Sequence, residues 1–286
     1  MTFILLSVFF NSILFVVLKL FGKFQINTFH ALVVNYFTAF LVGNLMGGWM
    51  YFPSEVIQKP WFVSSILLGS LFISVFYVTA KTSQINGIAV ASVASKMSVV
   101  IPILSGVILF SENLGILAII GILLALVAVY LTTKKNQGAL PVNNQWMCPV
   151  LVFVGAGIID SSLKIIQHHY VPPEEVSIFS ISTFLVAGIT GLILVASQTL
   201  QGKGSWQGKS ILGGIVLGIP NYFSLYFIIK MLEHPSWKSA TIFTVHNVCI
   251  VAFTTLLGLL LFKEKLNKAN IIGLVLAMIS LILVTQ

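Results

Sequence analysis

The stretch Leu104–Leu131 reads LSGVILFSENLGILAIIGILLALVAVYL, and it returns 152 positions later as Leu256–Leu283, LLGLLLFKEKLNKANIIGLVLAMISLIL. The two copies align without a gap and share Gly106 with Gly258, Leu109-Phe110 with Leu261-Phe262, Glu112 with Glu264, Leu114 with Leu266, Ile119-Ile120-Gly121 with Ile271-Ile272-Gly273, and Leu124-Ala125 with Leu276-Ala277. An apolar composition would match some Leu and Ile by chance, but it would not match two Gly and one Glu as well. The chain therefore contains an internal duplication, and a repeat decides the architecture before other features do.

The composition is that of an integral membrane protein. Hydrophobic residues make up 58% of the chain and charged residues 8%, and the mean hydropathy is +1.05. A soluble domain has roughly 25% charged residues, so this chain could not cover a water-facing surface. We expect a multi-pass protein of the plasma (inner) membrane, with the lipid bilayer as its partner. Nucleic acid is not expected as a partner, because the lysines behind the net charge of +8 are scattered at segment ends.

About ten apolar runs are long enough to cross the hydrocarbon core of a bilayer. They are Phe3–Leu20, Thr28–Met46, Trp61–Ala80, Ile88–Phe110, Leu114–Thr133, Trp146–Gln167, Val176–Ser197, Ser210–Leu232, Trp237–Phe262 and Ala269–Thr285. A polar linker, residues 134–145, separates a first half (1–133) from a second half (146–286). Since each half has an odd number of spans, the halves run in opposite directions, as in the inverted repeats of many secondary transporters. The sequence predicts an all-α polytopic fold of two inverted five-helix repeats around a central cavity.

The repeat also carries a family resemblance. Each half contains the pattern Gly-x-x-x-Phe-x-Glu-x-Leu, from Gly106 to Leu114 and from Gly258 to Leu266, before a last span that contains Gly. Two five-span repeats with this pattern resemble the drug/metabolite transporter superfamily, in particular its EamA-type members, and the resemblance covers nearly the whole chain. It implies a ten-helix fold with a central cavity and the export or exchange of small organic solutes. It does not imply a particular substrate.

Glu112 and Glu264 are the charged residues that the two copies share. Each precedes the last span of its half, where a carboxylate meets the free N–H groups and the positive end of the helix dipole. We predict this structural role for both residues, beside the N-terminus of the helix that follows.

Lys96 lies well inside the span Ile88–Phe110. A charge at that depth costs at least ~2.5 kcal/mol on insertion scales, so it usually faces a polar interior and marks a functional site. Ser92 and Ser95 extend a polar stripe on the same helix. We predict that Lys96 binds substrate in the central cavity. The alternative is that its long side chain reaches the nearer membrane surface.

The equivalent span of the second half carries His246 and Asn247, opposite Ala94 and Ser95 in the register of the repeat. Both halves thus place a basic or titratable group at nearly the same depth. Histidine changes its charge near neutral pH, which favours proton-coupled transport. A neutral histidine that is hydrogen-bonded between helices is the alternative. We predict both residues as substrate-binding.

Other polar residues also lie inside spans. Asp160 and Lys164 are four apart in the sixth span, so they share one helix face and can form an ion pair, whether in the substrate site or as a structural pair. Asn35 and Tyr36 lie inside the second span. We predict that all four residues line the cavity.

Two prolines, Pro102 and Pro220, are expected to interrupt the fourth and eighth spans. A proline inside a helix leaves a backbone carbonyl without its hydrogen bond and bends the helix. Such a carbonyl is tolerated at membrane depth where it faces protein or a water-filled cavity. Asn221 and Tyr222 follow Pro220 directly, so they are further candidates for the cavity wall. Helix packing alone is the alternative reason for the two kinks.

The expected interior charge is net basic, and this favours a substrate with a carboxylate or phosphate group. We therefore predict a secondary transporter that moves a small organic metabolite, such as an amino acid or organic acid, by alternating access, and that acts as a monomer or homodimer. The alternatives are a cation or drug efflux transporter, a non-transporting membrane scaffold and an intramembrane enzyme. The sequence disfavours an enzyme, because it shows no Walker loop, nucleophile elbow or HExxH motif. Neither a metal ion nor a cofactor is predicted.

The lysines leave the orientation open. The positive-inside rule makes the lysine-rich loops cytoplasmic and both termini external, whereas the family resemblance favours cytoplasmic termini. The even number of spans predicts only that Thr2 and Gln286 lie on the same side of the membrane.

Overall fold

The computed structural model describes residues 2–47, 54–110, 115–133, 146–200, 206–232 and 239–284. Within these ranges the chain forms eleven α-helices, with a short 3₁₀ turn before α3 and another before α8. The helices are α1 (Thr2–Lys23), α2 (Thr28–Met46), α3 (Phe62–Ile85), α4 (Ile88–Met97), α5 (Val100–Phe110), α6 (Ile116–Thr133), α7 (Met147–Tyr170), α8 (Val176–Leu200), α9 (Gly208–Leu232), α10 (Ser239–Phe262) and α11 (Lys268–Val284).

The lengths and composition of these helices are those of membrane spans. In the described part of the chain, nine helical segments are long and apolar enough to cross a bilayer, α4 and α5 counting together as Ile88–Ile108, and α11 is a shorter apolar helix. The prediction of an all-α polytopic membrane protein is therefore confirmed, and the predicted spans agree with the helices to within a few residues. Consecutive spans cross in opposite directions, so the α1–α2 and α10–α11 turns lie at one membrane face and the α2–α3 and α7–α8 turns at the other.

The fourth span is broken between Met97 and Val100. Pro102 lies just after this break, and its ring nitrogen has no hydrogen to donate to the carbonyl of Ser98. The N–H of Ile101 bonds to that carbonyl instead, at 2.9 Å. The predicted interruption at Pro102 is thus found, and the break itself lies a few residues before the proline.

Pro220 behaves differently from the prediction. Helix α9 continues through it from Gly208 to Leu232, so the expected interruption of the eighth span was wrong. The reason lies in the packing of α9 on α2, where Gly218 brings the two backbones together. A Cβ added at Gly218 would lie 2.6 Å from the carbonyl oxygen of Asn35. One missing hydrogen bond is tolerated in a long helix that a neighbour holds this closely.

The two copies of the repeated stretch pack on each other through α6 and α11. The matched glycines make the contact, because a Cβ added at Gly121 would lie 2.7 Å from the backbone nitrogen of Val284, and one at Gly273 would lie 2.9 Å from that of Thr132. Ser280 Oγ donates to the Gly121 carbonyl at 2.7 Å across the same interface. Small residues and interhelical hydrogen bonds hold membrane helices together in this way.

The remaining helices surround the centre of the molecule. Helix α2 packs between α8 and α9, α3 packs against α7 and α8, and α4 packs against α7 and α10. Helix α1 packs against α9, α10 and α3. As a result α1, α3, α4 and α7 face one another around a common space, and this space holds the polar residues described next.

Candidate functional site

A cavity of about 150 Å³ lies between α1, α3, α4 and α7. Its polar lining comes from Asn11, Thr79, Ser95, Lys96 and Asp160, and its apolar walls from Leu14, Phe15, Leu18, Phe72, Val75, Phe76, Ala156 and Ile159. Asn11 and Thr79 were missed as site residues by the sequence reasoning. Asn11 could have been found from the sequence, because it is a polar residue in the middle of an apolar span.

Lys96 and Asp160 bring opposite charges to this cavity from different halves of the chain. Lys96 lies in the last turn of α4, roughly 12 Å along the helix axis from Ile88 at 1.5 Å per residue, which is deep within the membrane. Asp160 lies two residues after Ile158, whose side chain is 44% exposed on the outside. Two residues turn a helix by about 200°, so Asp160 faces inward. Its side chain is accessible to solvent although protein surrounds it, because it borders the open space of the cavity.

The two charges attract each other without touching. The two groups are close enough for the charge of each to act on the other. The ion pairs within 4.0 Å among the described residues are Lys19–Glu264 and Lys59–Glu175, so a gap of more than that distance separates Lys96 Nζ from the Asp160 carboxylate. The gap is part of the cavity and is open to a small polar group.

The predicted ion pair between Asp160 and Lys164 on the same helix face is not formed, and this prediction was wrong. The carboxylate points instead to the break between α4 and α5, where Ser98 Oγ lies 3.3 Å from Asp160 Oδ2. Ser98 Oγ also lies 2.6 Å from the carbonyl oxygen of Ser95. Reaching this partner turns Asp160 away from the next turn of its own helix. Lys164 is not among the residues that line the cavity.

His246 lies in a hydrogen-bond chain that ties α10 to α1 and α9. The hydroxyl of Ser7 donates to the carbonyl of Ser224 at 2.7 Å, so it has no second proton for the contact of 2.9 Å with His246 Nε2. The histidine must therefore donate from Nε2. Its ring is 6% exposed, and Asn247 is a further hydrogen-bond partner. This position favours the alternative, a structural histidine that is hydrogen-bonded between helices. His246 is also close enough to Lys96 for the lysine charge to act on it.

Four other predicted site residues lie at helix interfaces outside this cavity. Asn221 Nδ2 donates to Asn35 Oδ1 at 3.2 Å between α9 and α2. Tyr36 is 1% exposed and lies behind Phe76, with ring centroids 6.0 Å apart. Tyr222 stacks on Tyr226 of its own helix. The structure therefore does not bring these residues together with Lys96 and Asp160.

Glu264 caps a helix, but not the one that the sequence predicted. Lys263 has a φ of 51°, which turns the chain back after α10, and the carboxylate accepts a hydrogen bond from the N–H of Ile88 at 2.9 Å. It thus caps α4 of the first half, and it also pairs with Lys19 of α1. A glycine is required beside it, because Gly87 has a φ of 102°, in the left-handed region that other residues rarely adopt, and a Cβ there would also lie 2.7 Å from Glu264 Oε2.

The N-terminus of α11, where Glu264 was expected, is capped by other residues. The N–H of Asn270 donates to Asn267 Oδ1 at 2.7 Å, and the N–H of Asn267 donates to Asn270 Oδ1 at 3.0 Å. This reciprocal arrangement leaves the carboxylate of Glu264 free to reach the first half. The equivalent prediction for Glu112 falls outside the described residues.

A second charged cluster lies at the opposite membrane face. Glu175, before α8, accepts hydrogen bonds from Lys59 Nζ and from Trp61 Nε1, both at 2.6 Å. The hydrogen bond from Lys59, followed by that from Trp61, lowers the pKa of Glu175, and the hydrogen bond to Glu175 raises the pKa of Lys59. These contacts could not be predicted from the sequence, because the partners lie 116 and 114 positions apart along the chain. Among the described residues no three His, Cys, Asp or Glu side chains gather as metal ligands would.

The helices and the cavity define the class as a polytopic membrane protein with charged residues that face an internal cavity. Residues 144–286, half of the chain, match the EamA-like transporter family. The chain therefore belongs to that family, and the predicted resemblance to the drug/metabolite transporter superfamily is confirmed. Members of this family are membrane transporters.

Two further comparisons extend over nearly the whole chain. An uncharacterized protein of Haemophilus influenzae is 29% identical over 267 residues, which cover 91% of this chain and 89% of that protein. A solved structure, titled only as the crystal structure of a protein, has a TM-score of 0.60 and 18% identity over 99% of this chain and 96% of its own. The second likeness shows the fold alone.

Proposed function

We propose that this protein is a secondary transporter of a small organic metabolite that bears a carboxylate or phosphate group, and that Lys96 binds this group in the central cavity. One observation carries the proposal. The ammonium group of Lys96 faces an internal cavity at membrane depth, and its nearest counter-charge, Asp160, lies beyond contact distance. A charge at such a position costs about 2.5–3.5 kcal/mol in insertion measurements, and a binding role explains why the protein carries it.

The size of the cavity supports a small metabolite over a drug. Sites for drug-sized ligands measure roughly 300–1,000 Å³, whereas this cavity measures about 150 Å³. Its aromatic and aliphatic walls accommodate a short carbon skeleton, and its polar residues surround the charged end. The proposal places the transporter in the plasma (inner) membrane, as a monomer or a homodimer.

Alternating access is supported by the way the halves pack. Suppose that each helix of the first half has a counterpart in the second: α7 for α1, α8 for α2, α9 for α3 and α11 for α6. Replacing each helix by its counterpart then turns the contact of α2 with α9 into the contact of α8 with α3, and both contacts are present. The contacts of α1 with α9 and of α3 with α7 exchange as well. Two inverted repeats would produce this pattern, and rocking of one repeat against the other is the motion that such repeats use.

The two charged clusters fit this motion as gates. Lys19–Glu264 joins the halves at one membrane face, and Lys59–Glu175 joins them at the other. Opening either face separates the partners of one cluster. The broken fourth span places a change of backbone direction directly beside Lys96 and Asp160, where an outward or inward tilt of α4 changes access to the cavity.

Uptake into proteoliposomes tests the proposal. The probes are radiolabelled L-amino acids, lactate, succinate, citrate, inorganic phosphate and glucose 6-phosphate. We expect the wild type to carry at least one anionic probe, Lys96→Ala to lose this transport, and Lys23→Ala, at the exposed end of α1, to keep it. Size-exclusion chromatography shows that each variant is folded. Transport of a cationic drug but of none of these probes would favour the efflux alternative, and full transport by Lys96→Ala would remove Lys96 from the site.

A further inference from the structure

Asp160 and any bound anion compete for the positive charge of Lys96. Both side chains face one cavity, and more than 4.0 Å separates their charged atoms. An anion that contacts Lys96 in this gap brings a second negative charge next to the carboxylate of Asp160. Two anions that share one site and one cation repel each other strongly in a water-poor interior.

We infer that Asp160 is the competitor of the substrate anion for Lys96, and that the anion binds together with a proton on Asp160. The inference rests on the proposed function, because it presumes an anion at Lys96. A hydronium ion from the solution on the side from which the anion enters gives this proton to the carboxylate, which leaves a neutral carboxylic acid and water. The Lys96 ammonium then faces the substrate instead of Asp160. For a substrate of charge −1, the total charge of the occupied site equals that of the empty site.

Ser98 supports Asp160 in both of these states. When Asp160 is ionised, its carboxylate can only accept, and Ser98 Oγ at 3.3 Å is the donor within reach. When Asp160 is protonated, its O–H can donate to the same oxygen, while the hydroxyl of Ser98 donates to the Ser95 carbonyl at 2.6 Å. A hydroxyl at this place therefore satisfies the neutral and the charged acid without a change in the backbone.

The other titratable groups around α7 are arranged so that Asp160 is the one that responds. Helix α7 packs against α3, α4, α5 and α6. Helix α5 has no titratable side chain. His246 of α10, which lies close enough to feel the charge of Lys96, donates from Nε2 to Ser7. On the packed helices the remaining titratable groups are Tyr77 and Lys81 of α3, which contact each other, and Tyr130 of α6, which is 67% exposed on the outside. On α7 itself, none of the other described titratable side chains lines the cavity; they are Cys148, Lys164, His169 and Tyr170.

The test uses the full-length protein in proteoliposomes with a pH-sensitive dye in the lumen and the probes named above. We expect the wild type to acidify the lumen as the anion enters, by one proton for each anion transported. Its apparent affinity should rise about tenfold for each unit by which the pH falls while Asp160 is ionised, because one proton binds with each anion. Asp160→Asn, which is neutral at every pH, should still carry the anion but without this pH dependence and without proton movement. Lys23→Ala should behave like the wild type.

The outcomes separate the two claims. Anion transport by the wild type without proton movement overturns the inference and leaves the proposed function standing, and this measurement needs no variant. Proton movement that persists in Asp160→Asn, or loss of anion transport in a folded Asp160→Asn protein, also overturns the inference. Transport that survives Lys96→Ala overturns the proposed function, and if the wild type carries none of the probes, both claims fail.

Discussion

Replacement of Glu264 measures how strongly the two halves are joined at one membrane face. Its side chain is 10% exposed and that of Lys19 is 19% exposed, so the pair lies between a surface and a buried ion pair. Exposed pairs contribute about 0–1 kcal/mol, and breaking a buried pair costs about 3–5 kcal/mol. For Glu264→Gln we expect a loss of about 2 kcal/mol in the free energy of unfolding, because the amide oxygen can still accept from the Ile88 N–H while the charge is gone.

Glu264→Ala removes the acceptor as well as the charge. An unsatisfied buried N–H costs about 1–3 kcal/mol, so the total loss should reach about 4 kcal/mol. The N–H in question belongs to Ile88, which is fully buried. The difference between the two variants therefore reports on the cap of α4, and the loss in Glu264→Gln reports on the charge.

The assay is unfolding in mixed detergent micelles, followed by tryptophan fluorescence. A double-mutant cycle with Lys19→Met should give a coupling energy of about 1–2 kcal/mol, since the residues touch. The matched control cycle uses Lys23→Met and Glu174→Gln, two exposed residues, whose effects should stay within about 0.5 kcal/mol. A Glu264→Gln protein as stable as the wild type, or a coupling energy near zero, would refute the reasoning that this contact joins the halves.

Three further perturbations test other parts of the structure. The folded pKa of Glu175 lies below its ordinary value of 4.5, so its stabilising contribution is present above that pH and is lost as the pH falls through the folded value. Glu175→Gln should remove this loss from a melting-temperature profile measured against pH. Gly121→Ala should destabilise the protein by about 1–3 kcal/mol through overpacking, because its Cβ would lie 2.6 Å from Val284 Cγ2; an unchanged melting temperature would contradict the close contact of α6 with α11. Ser7→Ala should cost about 1–3 kcal/mol by leaving His246 unsatisfied, and nuclear magnetic resonance of the ring nitrogens should show a loss of the preference for Nε2–H.

The spans and Lys96 were within reach of the sequence because their physics is local. A run of apolar residues of bilayer length forms a helix wherever it lies in the fold, and a charge inside such a run must find a polar surrounding. This reasoning placed Lys96 in the cavity. It also found the repeat, whose glycines form the contact between α6 and α11.

The partners of the charged residues were out of reach because they come from distant parts of the chain. Ile88 is 176 positions from Glu264, and Lys19 is 245 positions from it. A local reading assigned Glu264 to the helix that follows, and it assigned Asp160 to the next turn of its own helix. In both cases a group across the molecule offered a better partner. Gly87, with a φ of 102° beside the carboxylate, is a local feature of this arrangement. A glycine at this position does not by itself identify Glu264 as the partner.

The most direct test of the central claim is an experimental structure of the protein with a transported anion bound. The account predicts the carboxylate or phosphate group within hydrogen-bond distance of Lys96 Nζ, in the gap between Lys96 and Asp160. Density for the anion outside the cavity formed by α1, α3, α4 and α7, with Lys96 still facing an empty gap, would contradict it.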